Sequence, residues 1–108
     1  MRSSNWLCAA VIAGIALAPA EAFAINVQKT LQKQGCLKCH AISRKKDGPS
    51  IEDIAAKYRE EEDGVAKLHE HLTSAPEIEV DGKKEKHKQF EAKSDSDLDE
   101  VVEWILSK

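Results

Sequence analysis

The run Cys36-Leu37-Lys38-Cys39-His40 constrains this chain more than any other feature. Two thiols at this spacing, on one turn, reach the two vinyl groups of a single porphyrin, and the histidine that follows falls beneath the iron. Imidazole nitrogen is a good iron ligand. The pattern predicts one haem c, joined through thioethers at Cys36 and Cys39, with His40 as the proximal axial ligand. A thioredoxin-like dithiol fits less well, because it needs a preceding strand and a larger α/β frame. A structural zinc site commonly draws on a second cysteine pair. None is present, although Cys36, Cys39 and two histidines would still make up a Cys2His2 count.

The first residues read as a targeting segment. Arg2 precedes an apolar stretch from Trp6 to Ala18, and Ala22-Phe23-Ala24 closes it with a small-x-small step. These are the parts of a cleaved signal peptide, and the apolar part falls short of the roughly 20 residues of a membrane span. Cleavage is expected after Ala24, since proline in Ala18-Pro19-Ala20 suits such a site badly. The expected organisation is a signal peptide over 1–24 and one domain over 25–108, with no membrane span in the mature form and a periplasmic location. Cys8 leaves with the signal, so the mature chain keeps only Cys36 and Cys39, in a compartment that oxidises thiols.

A domain this short builds a modest core and often relies on a metal or cofactor. Its largest apolar side chains are few: Phe90, Trp104 and Tyr58. A haem would supply the missing apolar bulk. Charge is nearly balanced, with 16 Lys and Arg against 19 Asp and Glu, and no basic stripe with interleaved aromatics points to nucleic acid. The lysines from Lys83 to Lys88 alternate with Glu85 and His87 and read as a solvated loop.

Periodicity predicts helices throughout. Asn26 to Gln34 is a short one, with Val27 and Leu31 on one face and Gly35 ending it. Lys45 to Pro49 is a loop. Ser50-Ile-Glu-Asp53 is a capping box that starts a helix at Ile51 and carries it through Tyr58. Another spans Gly64 to Leu72, and Thr73 to Lys88 is a loop broken at Pro76 and Asp81-Gly82. Ser94 or Ser96 caps the last helix, whose narrow apolar face is Leu98, Val101, Val102, Ile105 and Leu106. Acidic residues crowd its first turn, where the helix dipole favours them. No segment reads as a convincing strand, so the expected class is all-α.

With Cys36-Leu-Lys-Cys39-His40, Asp47-Gly48-Pro49-Ser50, Ile54-Ala-Ala-Lys-Tyr58 and Val102-Glu-Trp104-Ile-Leu106 in this order, the chain resembles the small bacterial class I c-type cytochromes. The resemblance covers the whole of 25–108. It implies a small fold of about four helices around one covalently attached haem, with the first and last helices packed across each other. It also implies that the Pro49 carbonyl accepts a hydrogen bond from the His40 ring.

The departure from that family is the sixth iron ligand. Family members use a methionine in the late loop, and Met1 is the only methionine here. His87 is the expected replacement: it precedes Trp104 at close to the family's spacing, in an irregular loop that could drape over the haem. His69, beside the apolar stripe of its helix, is the fallback, and His71 is expected to face solvent. Nitrogen in place of methionine favours ferric iron and a lower potential. The function expected is one-electron transfer by a monomer that meets transient redox protein partners, not an enzyme. The alternative is binding or sensing of NO, CO or O2 at an open or displaceable sixth position.

Overall fold

The computed structural model of the protein describes residues 24–108 and, ahead of them, Gly14. The expected signal segment lies otherwise outside the described residues. Helix α1 runs from Val27 to Lys33 and buries Val27 and Leu31, while the Asn26 side chain caps it by accepting from the Lys29 N–H at 3.1 Å. Gly35, at φ 81°, takes the left-handed conformation that glycine adopts without strain and turns the chain into a 3₁₀ turn, Cys36–Lys38.

Helix α2, Ile51–Glu60, begins at the predicted cap: the Ser50 hydroxyl accepts from the Asp53 N–H at 3.0 Å. It buries Ile51 and Ala55 and gives way to α3, Gly64–Ser74, through a corner that depends on Gly64. A Cβ there would stand 1.9 Å from the Tyr58 carbonyl oxygen. Helix α3 buries Leu68 and Leu72.

The segment expected to be a structureless loop is instead an antiparallel hairpin, β1 Glu77–Val80 and β2 Lys83–Lys86, with Glu77 opposite Lys86 and Val80 opposite Lys83. Asp81 at φ 51° and Gly82 at φ 77° form its turn. Two left-handed central residues match the right-handed twist of the flanking strands, which is why Asp-Gly suits this place. The strands escaped sequence reading because β2 is Lys-Lys-Glu-Lys, exposed along its length, so no alternation of apolar and polar residues marks it. The hairpin lies between α3 and α4, and the class remains all-α.

Helix α4, Asp95–Leu106, is capped by Ser94, whose hydroxyl accepts from the Asp97 N–H at 3.2 Å. It touches α1, α2 and α3. Three neighbours demand a wider face than the predicted stripe, and Trp104 is buried with Val101, Val102 and Ile105 while Leu98 and Leu106 sit at the margin. Arg59 of α2 donates to the Leu106 and Lys108 carbonyls at 2.9 and 2.8 Å, satisfying acceptors that a helix end leaves open. Phe90 joins the same core from the segment after the hairpin. Among the described residues, no helix is long and apolar enough to cross a membrane.

Candidate haem site

His40 is held by its own stretch of chain. The 3₁₀ turn places its N–H 3.2 Å from the Cys36 carbonyl, and the Gly48 N–H returns to the Cys39 carbonyl at 2.8 Å. The Lys46 ammonium donates to the Leu37 carbonyl at 3.1 Å. His40 Nδ1 lies 2.7 Å from the Pro49 carbonyl oxygen. That oxygen can only accept, so Nδ1 carries the proton and Nε2 keeps its lone pair for a metal.

Gly48 makes this seating possible. A Cβ on it would come 2.5 Å from His40 Cε1 and 2.9 Å from Nδ1. Sequence reading treated Gly48 as part of a loop breaker, and no spacing rule could show that it is the floor under the imidazole.

Cys36 is half-buried and Cys39 is exposed, and neither forms a disulfide. Burial pushes the Cys36 thiol up, and the Lys88 ammonium offsets part of that.

His87 faces His40 from the other side of the chain, with ring centroids 6.1 Å apart and planes inclined at 49°. Its N–H donates to the Pro76 carbonyl at 2.8 Å, one rung beyond Glu77–Lys86, so it sits on the hairpin's exit rather than in a free loop. Beyond it, the Phe90 N–H donates to the Leu72 carbonyl at 2.8 Å. The Lys88 ammonium donates to the Gln34 carbonyl, and the Gln34 side chain exchanges two bonds with the Glu91 backbone, each 2.9 Å long. The distal segment is thereby stitched to the end of α1.

His71 does not face solvent as expected. It is half-buried, and its ring meets that of His87 edge-on at 4.5 Å and 61°. His69 is turned the other way. It pairs with Asp99 at 3.1 Å and lines a groove with Val65, Val102 and Leu106. Residues two apart on a helix project about 200° apart; the structure brings His71, not the fallback His69, to His87. Burial, with smaller repulsion from neighbouring histidines, pushes the rings of His71 and His87 down from the ordinary imidazole value, favouring the neutral form that binds metal.

These residues fit a haem. Two imidazoles bound to one metal through bonds of about 2.0–2.1 Å place their ring centroids roughly 6 Å apart, the separation of His40 and His87. His87 Nδ1 is also buried without a hydrogen-bond partner of good geometry. Among the described residues, no three His, Cys, Asp or Glu side chains converge to hold a metal ion directly, which leaves the zinc alternative without geometric support.

Comparison with known proteins agrees with this chemistry. The family model described as Cytochrome c matches residues 25–108. Among solved structures, the class 1 cytochrome MtoD from Sideroxydans lithotrophicus ES-1 superposes with a TM-score of 0.70 at 38% identity, over 75% of this chain and 90% of that one. Cytochrome c2 of Rubrivivax gelatinosus is 35% identical over 68% of this chain and 87% of its own length. The match to cytochrome c-551 of Pseudomonas denitrificans, also 35% identical, spans about half of that protein, 54% of its length.

Proposed function

Because the chain belongs to the cytochrome c family and is a mono-haem electron carrier with one covalently attached haem c, we propose that Cys36 and Cys39 anchor that haem, that His40 and His87 are its axial ligands, and that the protein works in the periplasm. The observation that carries the ligand assignment is the opposed pair of imidazoles, His40 and His87, 6.1 Å apart, in a domain without methionine.

The haem supplies one-electron chemistry at its iron. The chain's part is to attach, ligate and hold. Cys36 and Cys39 would hold the porphyrin to the 3₁₀ turn. The Pro49 carbonyl keeps the His40 proton on Nδ1 and raises the basicity of Nε2. His87, kept neutral by burial and anchored by its backbone bond to Pro76, offers the second nitrogen. Ligands held this firmly shift little between oxidation states, which keeps reorganisation small. Two nitrogens favour ferric iron, so the potential lies below that of histidine–methionine relatives. Partners are redox proteins met through small, transient contacts, and no substrate pocket is needed.

Export is supported by the small-x-small step that ends at Ala24 and by a family match that starts at residue 25.

Absorption and EPR spectra of the wild type and of His87→Ala test the ligand assignment. Low-spin bis-nitrogen signals in the wild type should be lost in the variant; if they persist unchanged, His87 is not the ligand. A high-spin ferrous wild type whose spectrum shifts with CO would point instead to binding of a small gas.

A further inference from the structure

Glu100 stands on α4 with its carboxylate turned to the chain just ahead of α1. Oε1 accepts from the Ala24 N–H at 3.0 Å and Oε2 from the Ile25 N–H at 3.1 Å. Glu100 and Ile25 are both half-buried, and Ile25 packs against the core. Among the described residues, no Lys, Arg or His forms an ion pair with Glu100. A half-buried carboxylate is thus aimed, with both oxygens, at two neutral amides. Buried charges are normally paired, and among the described residues no side-chain cation meets this carboxylate.

We propose that hydrolysis of the Ala24–Ile25 peptide bond supplies a cation: the freed α-ammonium of Ile25 is the ionic partner of Glu100 and locks α1 to α4. The cleavage consumes one water. It leaves a carboxylate on Ala24, which departs with residues 1–24, and an ammonium on Ile25. The Ile25 nitrogen, already within hydrogen-bond distance of Oε2, changes from one neutral donor to three donors carrying a positive charge at neutral pH. Charge-assisted bonds are roughly twice as strong as neutral ones. Processing therefore tightens the α1–α4 contact at the point where α1 begins, adding a charge-assisted bond to the packing of Ile25. This rests on the export reading, and it adds that the position of cleavage matters to the fold and not only to release from the membrane.

The test uses the exported, haem-loaded protein. Mass spectrometry of the intact wild type should show a chain that begins at Ile25; any other start overturns the inference and the cleavage position, and leaves the haem assignment standing. A second protein carries three asparagines between Ala24 and Ile25, which leave the small-x-small step at Ala24 as it was, and matures with its ammonium displaced and a neutral amide restored at Ile25. Glu100→Gln is then made in both, and unfolding by denaturant is followed through haem absorbance. In the wild-type background the substitution should raise the unfolding equilibrium constant about tenfold more than in the extended one, about 1.4 kcal/mol of coupling. Equal effects in the two backgrounds would show that Glu100 serves only as an amide acceptor and would overturn the inference, with cleavage at Ala24 intact.

Discussion

The two sides of the haem site are built in opposite ways. On the proximal side, Cys36 to Pro49 holds the two thiols, His40, the acceptor that orients its ring and the glycine beneath it, all within one short stretch closed by its own backbone bonds. On the distal side, His87 carries none of this locally. Its place depends on a hairpin, on the Pro76 carbonyl, on the edge of His71 from α3 and on the Phe90 bond back to Leu72. The contrast teaches that the proposed attachment side forms through local contacts, which cost little loop entropy, while the proposed distal side waits on contacts distant in sequence.

The largest break in this comparison comes from Cys36→Ala with Cys39→Ala. Without thioethers the exported protein should carry no covalent haem, read as loss of the haem mass and of the denaturant-resistant absorbance. His87→Ala should do the reverse: the haem stays attached, the sixth position opens, and ferrous protein binds CO, seen as a shift in the absorbance band. Gly48→Ala places a methyl group 2.5 Å from His40 Cε1. Overpacking of that kind costs about 1–3 kcal/mol, measured by denaturant unfolding, and it should perturb the ferric EPR signal from the proximal side. Gly82→Ala strains the hairpin turn at φ 77° by about 1 kcal/mol. If the hairpin positions His87, this remote change should speed CO binding to ferrous protein while Gly48→Ala does not.

Two alanine substitutions on α3 should give the smallest effects and separate its faces. His71→Ala removes the edge against His87 and should change the ferric EPR signal. His69→Ala breaks only the solvent-facing pair with Asp99, costs about 1 kcal/mol or less, and should leave the spectrum as it was. A spectrum altered by His69→Ala alone would reverse this assignment of the faces.

Much of the helical frame was legible in the residues. Ser50 and Asp53 marked the start of α2, Val27 with Leu31 marked α1, and the acid-rich first turn with its apolar stripe marked α4, because capping and helical periodicity act within a few residues. Trp104 fell outside the expected stripe because three helices, rather than one surface, pack around α4. The hairpin was hidden because its stability comes from an Asp-Gly turn and a backbone ladder, neither of which needs a buried face on β2. His71 was misassigned for a related reason: periodicity finds an apolar stripe, and a histidine that turns toward another histidine lies outside it.

The residues by themselves determined that the domain takes one covalent haem, that the imidazole after the second thiol can lie beneath its iron, and that residues 25–108 contain no methionine. Those conclusions follow from spacing along a single turn and from which atoms the chain contains. Which histidine stands opposite His40, and what holds it there, was decided only by tertiary structure. Facing two rings across a cofactor-sized gap requires α3, the hairpin and the core around Phe90 to meet in space, and no local pattern encodes the distance between residues so far apart in the chain.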